Sequence, residues 1–295
     1  MSNNVLKNKV SQMASYTCFF RACADVERNE CYRGPDSMAK VFIPFLPKVL
    51  FLKCTPLRNL AVKKIAPRGV YEYVSARTKL FDEVFGQAID DVFPQIVILG
   101  AGFDTRAWRF TQRNKGTRVF ELDSPVTQEM KRKLLAQKGV ACPEEITFVP
   151  IDFEEEDMAE VLRKAGYRAD LKSLFLLEGV VMYLTAEAVS STLGFIRENA
   201  VAGSLLLFDY MLASVLRREN NLYGEDSIHK TVFKTGEEWH FGIDAGKIDA
   251  FLTEHGLNLV RHYTPGELQK KYLSAADGTL CGRINETHCI ALAAV

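Results

Sequence analysis

Apolar and polar positions change period several times along the chain, and each change marks an element. Between residues 3 and 31 apolar side chains recur at helical spacing, with Phe19-Phe20-Arg21-Ala22 in the most apolar portion. Tyr32-Arg33-Gly34-Pro35-Asp36-Ser37 then has the chemistry of a turn, with Asp36 or Ser37 placed to cap the next helix. Helical pieces punctuated by Pro44, Pro47, Pro56 and Pro67 lead to an amphipathic helix over Gly69–Gln87, where Tyr73, Leu80, Phe81 and Val84 share a stripe and Arg77 lies mid-helix. Next the period shortens. Ile96-Val97-Ile98-Leu99 is too short for a helix, and its β-branched content predicts a buried strand of a parallel sheet. It breaks directly into Gly100-Ala101-Gly102-Phe103-Asp104.

Downstream, strands over Val119–Asp123, Ile146–Ile151, Leu174–Leu177 and Ser204–Phe208, the last closing on Asp209-Tyr210, alternate with helices starting at Ser124-Pro125, at the acid-rich Glu154 and at Thr185. That rhythm predicts βαβ units. Residues 212–243 interrupt it and read as an insertion over the carboxyl edge of the sheet. A helix over 244–256 ends at Gly256, and strands over Leu257–Tyr263 and His288–Val295 flank a helix whose start, Thr264-Pro265-Gly266-Glu267, matches a capping box. The expected fold class is α/β: a doubly wound, seven-stranded, Rossmann-like sheet. Its expected organisation is an N-terminal helical extension or lid over 1–90 and a main domain over 91–295 with a cap insertion at about 212–243.

Composition narrows the partners. Of the 295 residues 47% are hydrophobic and 25% charged, ordinary globular values. With 37 basic against 37 acidic residues the formal charge is zero, which argues against a protein built to grip nucleic acid, as does the lack of an Asn/Asp-Pro-Pro-Tyr motif. The charge is unevenly spread, however: residues 1–80 carry 14 Lys and Arg against 5 Asp and Glu. Either these are solvated helix faces, or the segment overhangs a site for an anionic substrate. The seven cysteines form no C-x-x-C pair and are odd in number, so neither a disulfide framework nor a zinc site is expected. Residues 1–12 lack an apolar signal core, and Val41–Leu52 is broken by prolines and a lysine. A cytoplasmic, non-membrane setting is therefore the default expectation.

The candidate chemistry lies at the strand ends. Gly100 and Gly102 allow a tight turn and close approach of the backbone to a ligand. The dinucleotide fingerprint wants a third glycine where this chain has Thr105, so the turn suits a nucleoside without a pyrophosphate better than NAD or FAD. Four successive strands end in or near acids, at Asp104, Asp123, Asp152 and Glu178, and in open α/β sheets such ends converge on one crevice. Asp123 falls 23 residues after Gly100, where an acid can accept from both ribose hydroxyls; its alternative is a helix N-cap before Pro125. Asp152 can accept from an adenine amino group while the Phe153 backbone N–H addresses a ring nitrogen; its alternative is again an N-cap.

Leu-Gly-Ala-Gly-Phe-Asp-Thr-Arg (99–106), Phe-Glu-Leu-Asp-Ser-Pro (120–125), Asp152-Phe153 and Leu-Glu-Gly-Val-Val-Met-Tyr-Leu (177–184) together resemble the leucine carboxyl methyltransferase family. Tyr-Arg-Gly-Pro-Asp-Ser (32–37), the Arg77 helix and Phe20-Arg21-Ala22 are similar too. The resemblance implies S-adenosyl-L-methionine as cofactor. Arg77, with Arg21 beside it, would hold the methionine carboxylate, Gly100 and Gly102 would line the cofactor, Asp123 would take the ribose, Asp152 with Phe153 the adenine, and Glu178 would lie near the amino group and sulfonium. The implied reaction is O-methylation of a small-molecule or peptide carboxylate, or of a hydroxyl. A carboxylate is already ionised at neutral pH, its ordinary pKa being about 4, and needs no general base. No catalytic residue is fixed by a motif; Tyr183 and His240 are the candidates, and no metal site is expected. An NAD-dependent oxidoreductase and a non-catalytic binding protein on the same fold are the alternatives, and the sequence leaves the oligomeric state open.

Overall fold

A computed structural model describes residues 12–153, 155–235 and 238–295. Helix α1, Gln12–Asp25, leads through a turn to a short helix α2, Phe45–Pro47, a π turn over Lys48–Leu52, α3, Thr55–Ile65, and the long α4, Val70–Asp90. The sheet begins with β1, Gln95–Leu99, then α5, Arg106–Arg109; β2, Arg118–Asp123; α6, Pro125–Gln137; β3, Ile146–Pro150; α7, Met158–Lys164; and β4, Ser173–Leu177. It continues with α8, Ala186–Glu198; β5, Leu205–Met211; α9, Ala213–Leu216; α10, Glu225–Thr235; α11, Ile248–Glu254; β6, Asn258–Tyr263; α12, Pro265–Tyr272; and β7, His288–Ala294. The strand order is β3-β2-β1-β4-β5-β7-β6, with β7 antiparallel to both its neighbours and the other pairs parallel. β1 and β4 are neighbours in the middle, so their carboxyl ends flank the point where the order reverses.

The expected seven-stranded doubly wound sheet is the sheet observed. β1 and β4 are buried along their whole length, as continuous apolar runs covered on both faces must be. Three helix starts follow the cap chemistry: Ser124 ahead of Pro125, Thr185, and a complete Thr264–Glu267 capping box. The excursion after β5 leaves and returns at one place, because Leu212 and Ile243 bridge in parallel and the Ala213 amide donates to the Ile243 carbonyl.

Other expectations need correction. The first helix stops at Asp25; positions 3–11 of that expectation lie outside the described residues. The helix expected from the acid-rich Glu154, itself outside the described residues, starts at Met158, because the Asp157 carboxylate takes the Ala159 and Glu160 amides and so sets the N-cap there. β5 runs on to Met211, which puts Asp209 inside the sheet. Asp36 caps no long helix; it accepts from the Met38 and Ala39 amides before a single 3-10 turn. Cys31 and Cys281 form a disulfide across 250 residues. Spacing does not reveal it because the fold alone brings the loops after α1 and α12 together, where Tyr32 also donates to the Cys281 carbonyl at 2.9 Å. Among the described residues no helix is long and apolar enough to cross a membrane.

One charged pair inside this sheet was not foreseen. Glu121 in the middle of β2 is fully buried and meets Lys131 Nζ of α6 at 2.6 Å. Burial outweighs the nearby ammonium and pushes the Glu121 carboxyl up to about 7. Removing one partner leaves the other charge in an apolar layer, whereas replacing both by apolar groups relieves it. Lys131→Met is therefore expected to cost about 3 kcal/mol in urea unfolding at pH 7, and Glu121→Leu with Lys131→Met to recover most of it; equal losses in both variants would contradict this account.

Candidate functional site

The site grows from the end of β1. Gly100 and Gly102 take φ values of +69° and +49°, and a Cβ on Gly100 would stand 2.5 Å from Val180 Cγ2. Only glycine turns the chain there without moving the loop after β4. The turn delivers the Gly102 amide to Asp123 Oδ2 at 2.5 Å, while the Ser124 amide reaches Oδ1 at 2.7 Å. Burial raises the Asp123 pKa, and the two amide donors work against that rise. A carboxylate offers about four lone-pair positions, so capacity is left for hydroxyl donors.

Behind the turn lies a buried lattice of arginines and acids. Arg77 on α4 binds Glu178 Oε1 through Nε at 3.0 Å and Asp209 Oδ2 through Nη1 at 2.6 Å. Glu178 Oε2 accepts from Arg106 Nη2 at 2.6 Å, and Arg106 Nε reaches Asp82 Oδ1 at 2.9 Å while its Nη1 binds Asp104. Asp82 also takes Arg109. Asp36 accepts from the Thr105 hydroxyl at 2.7 Å and lies 3.4 Å from Arg21 Nη1, and Arg21 Nη2 donates to the Phe103 carbonyl at 2.8 Å. Burial opposes the charge of Glu178, but the Arg106 and Arg77 guanidiniums outweigh it and lower its pKa. The same contest leaves Asp104, beside Arg106, at about 2.

A cavity of about 690 Å³ opens over these strand ends, within the range of small-molecule sites. Of the residues expected from the sequence, its wall takes in Arg21, Arg77, Gly100, Gly102, Asp123 and Glu178, together with Tyr183 and His240. Asp152 and Phe153 stand at the neighbouring end of β3, where the Ile151 amide donates to the Asp123 carbonyl; neither forms part of the wall, and Phe153 is 39% exposed. Sequence reasoning missed Arg106, Asp82 and Asp36, which brace the wall, and His288 and Trp239, which line it. Arg106 stood in the glycine-turn motif and Asp209 at the end of an expected strand, so a signal existed for those two. None marked His288. Among the described residues no group of His, Cys, Asp and Glu is placed to hold a metal.

A doubly wound sheet of this order, with an acid-lined cavity at the ends of its central strands, defines the chain as a protein of the methyltransferase fold. It overlays a solved methyltransferase structure from Thermobifida fusca with a TM-score of 0.58 at 16% identity, over 87% of this chain and 94% of that one. The family model described as leucine carboxyl methyltransferase matches residues 19–197, and the chain belongs to that family of S-adenosyl-L-methionine-dependent methyltransferases. A relative from Frankia alni carrying the name of such a methyltransferase is 32% identical over 204 residues, covering 69% of this chain and 70% of its own. A Bacillus subtilis relative of the same name is 28% identical over 180 residues, 61% of this chain; the match spans 59% of that relative's length.

The lattice has a direct test. Arg106→Met strips three acids of a shared counter-charge and should cost at least about 3 kcal/mol in urea unfolding at pH 7, with Arg106→Lys between it and wild type. Because Asp104 and Glu178 have depressed pKa values, their contribution is present above the unfolded values and lost as the pH falls. Wild-type stability should therefore decline as the pH drops from about 4 toward 2, and the variant should show a flatter acid limb.

Proposed function

We propose that the chain is an S-adenosyl-L-methionine-dependent O-methyltransferase acting on a carboxylate or hydroxyl oxygen of a small molecule or peptide terminus. The observation that carries this reading is one cavity with an acceptor-rich carboxylate, Asp123, on its wall and two guanidiniums, Arg21 and Arg77, on the same wall. The residues fit the cofactor. Asp123 retains lone pairs for the ribose, and in this reading the adenine extends beyond the cavity wall toward Asp152 and Phe153 on the adjacent strand end. Arg77 Nη2 makes no hydrogen bond with the described residues, and Arg21 Nε is buried with no hydrogen-bond partner among them. Both are donors left over for the methionine carboxylate, and Glu178 supplies negative charge for the amino group and sulfur.

When bound, the cofactor supplies a methyl group on a positively charged sulfur. The protein's part is to hold, screen and orient. Arg21, Arg77, Arg106 and Arg109 face five acids, Asp36, Asp82, Asp104, Glu178 and Asp209. The one negative charge in excess, with Asp123 added, favours a cationic ligand in a site where water no longer screens it. Val180, Met182 and Trp239 line the cavity and exclude water from the reacting groups.

Isothermal titration with S-adenosylhomocysteine should show binding, and Asp123→Ala should weaken it by about 10- to 100-fold, the range for hydrogen bonds to a charged group. No binding at high micromolar concentration would overturn the reading. Extracts incubated with labelled cofactor should yield a product heavier by one methylene, and its lability to base separates a methyl ester from a methyl ether.

A further inference from the structure

We propose that His288 is the general base of this site and that the methyl acceptor is an uncharged, acidic hydroxyl on a planar ring, a phenol or its enol equivalent, rather than a carboxylate. The inference rests on the methyltransferase reading above and deepens it.

The argument starts from a chain of hydrogen bonds that fixes the tautomer. Asn285 Nδ2 donates to the Arg68 carbonyl at 3.0 Å, which orients the amide. Its Oδ1 accepts from the Thr287 amide at 3.0 Å and from the Thr287 hydroxyl. A hydroxyl has one proton to give, and that proton is committed to Asn285. Thr287 Oγ1 can then only accept from His288 Nδ1, 2.7 Å away. Nδ1 carries the proton, and Nε2 is a bare lone pair that makes no hydrogen bond with the described residues. Asn285 and Thr287 are fully buried and His288 nearly so, with His288 on the cavity wall. This arrangement orients an imidazole through its far nitrogen, as a base requires.

Register puts His288 beside the arginine–acid lattice of the wall. His288 pairs with Met211 across β5 and β7, and Asp209, two residues earlier on β5, shares its face of the sheet. Asp209 is bound by Arg77, which holds Glu178, and by the Tyr73 hydroxyl at 3.1 Å. The Tyr73 ring lies 5.0 Å from the His288 ring, and the Trp239 ring meets it edge-on at 6.3 Å. These rings give the base an aromatic surround of the kind a flat ring packs against.

Charge decides against a carboxylate. The arginines of the wall, Arg21 and Arg77, are committed to acids and, in the reading above, to the methionine carboxylate, so no further guanidinium or ammonium of the described wall remains for an anionic acceptor. The groups facing His288 are Asp209, Arg77 and Tyr73, with Trp239 from the cap. Burial, the largest cause, outweighs the opposing Asp209 carboxylate and, with the smaller effect of Arg77, holds the imidazole at about 4. It is neutral at physiological pH, so its lone pair is available to accept a proton from an acceptor hydroxyl. In the step, the acceptor O–H breaks and its proton passes to Nε2. The oxygen lone pair forms the new C–O bond, and the C–S pair stays on sulfur. The positive charge moves from sulfur to the imidazolium, which returns the proton to water.

The test uses the full chain with 4-nitrophenol and 4-nitrobenzoate as probes. Imidazole nitrogen NMR, assigned by the loss of signals in His288→Gln, should show a neutral Nδ1–H tautomer at pH 7. With S-adenosylhomocysteine saturating, 4-nitrophenol should shift the Nε2 signal and 4-nitrobenzoate should not. Methyl transfer to phenols should fall at least about 100-fold in His288→Gln, with homocysteine-product binding unchanged; His288→Asn repeats the measurement should the first variant fold poorly. An Nε2–H tautomer or an imidazolium at pH 7, a shift caused by the benzoate instead, or silence with both probes would overturn the proposal. Each leaves the cofactor reading standing, because that reading fails only if the native protein does not bind S-adenosylhomocysteine.

Discussion

Glu178 is shared by two arginines, and the site depends on that sharing. Its two oxygens take Arg77 from the N-terminal helix α4 and Arg106 from the turn after β1. Each guanidinium also binds further buried acids, Asp209 for Arg77 and Asp82 with Asp104 for Arg106. A guanidinium presents its donors as a rigid fork, so each pair fixes direction as well as distance. Isolated buried ion pairs barely recover their desolvation, but a lattice whose central members, Glu178, Arg77, Arg106, Asp82 and Arg109, each meet at least two opposite charges does so cooperatively. There is a reason to use charge here. Apolar side chains packed to interior density would fill the space beside Gly100, whereas a lattice of forks holds three elements apart and leaves a cavity with polar walls.

The lattice also explains which parts of the structure were readable beforehand. Strand order and the strand-end acids followed from alternation and from runs such as Ile96–Leu99, because burial on both faces writes itself into composition. The N-caps at Ser124 and Thr185 and the Thr264–Glu267 capping box were equally local. Arg77 with Asp209, by contrast, lies 132 positions apart, and no periodicity connects them. Asp36 resembled a helix cap because a carboxylate before two amides has the same local pattern whether or not Thr105 also donates to it. The Cys31–Cys281 bond was invisible for the same reason: an odd count of scattered cysteines carries no information about which loops meet.

Those long-range contacts make the N-terminal helices part of the site. The Lys79 ammonium donates to the carbonyls of Cys31 and Tyr272, and the Asn285 amide and side chain bind the carbonyls of Gly69 and Arg68 at the start of α4. Gly224, just before α10, packs so closely on Asn285 that a Cβ would sit 2.1 Å from its Nδ2. One asparagine therefore holds together the beginnings of α4, α10 and β7. Through Thr287 it also sets the ring that faces the cavity.

The two ends of the cavity are consequently built from different kinds of chain. Asp123, Gly100, Gly102 and Glu178 sit on adjacent strand ends within the segment that matches the family, residues 19–197, where any shift of one strand moves its hydrogen-bonded neighbours. Trp239, His240 and His288 lie beyond it. His240 is held by a single backbone bond to the Met182 carbonyl at 2.9 Å and leaves its side chain exposed. A wall assembled from an excursion anchored at Leu212 and Ile243 can change its side chains without disturbing the lattice beneath it. The wall at Gly100, Gly102, Asp123 and Glu178 is thus constrained by the sheet, while the opposite wall is set by the cap and by the Asn285–Thr287–His288 hydrogen bonds. Within one cavity, a wall held by parallel strand pairing therefore faces a wall held by an excursion and an antiparallel strand.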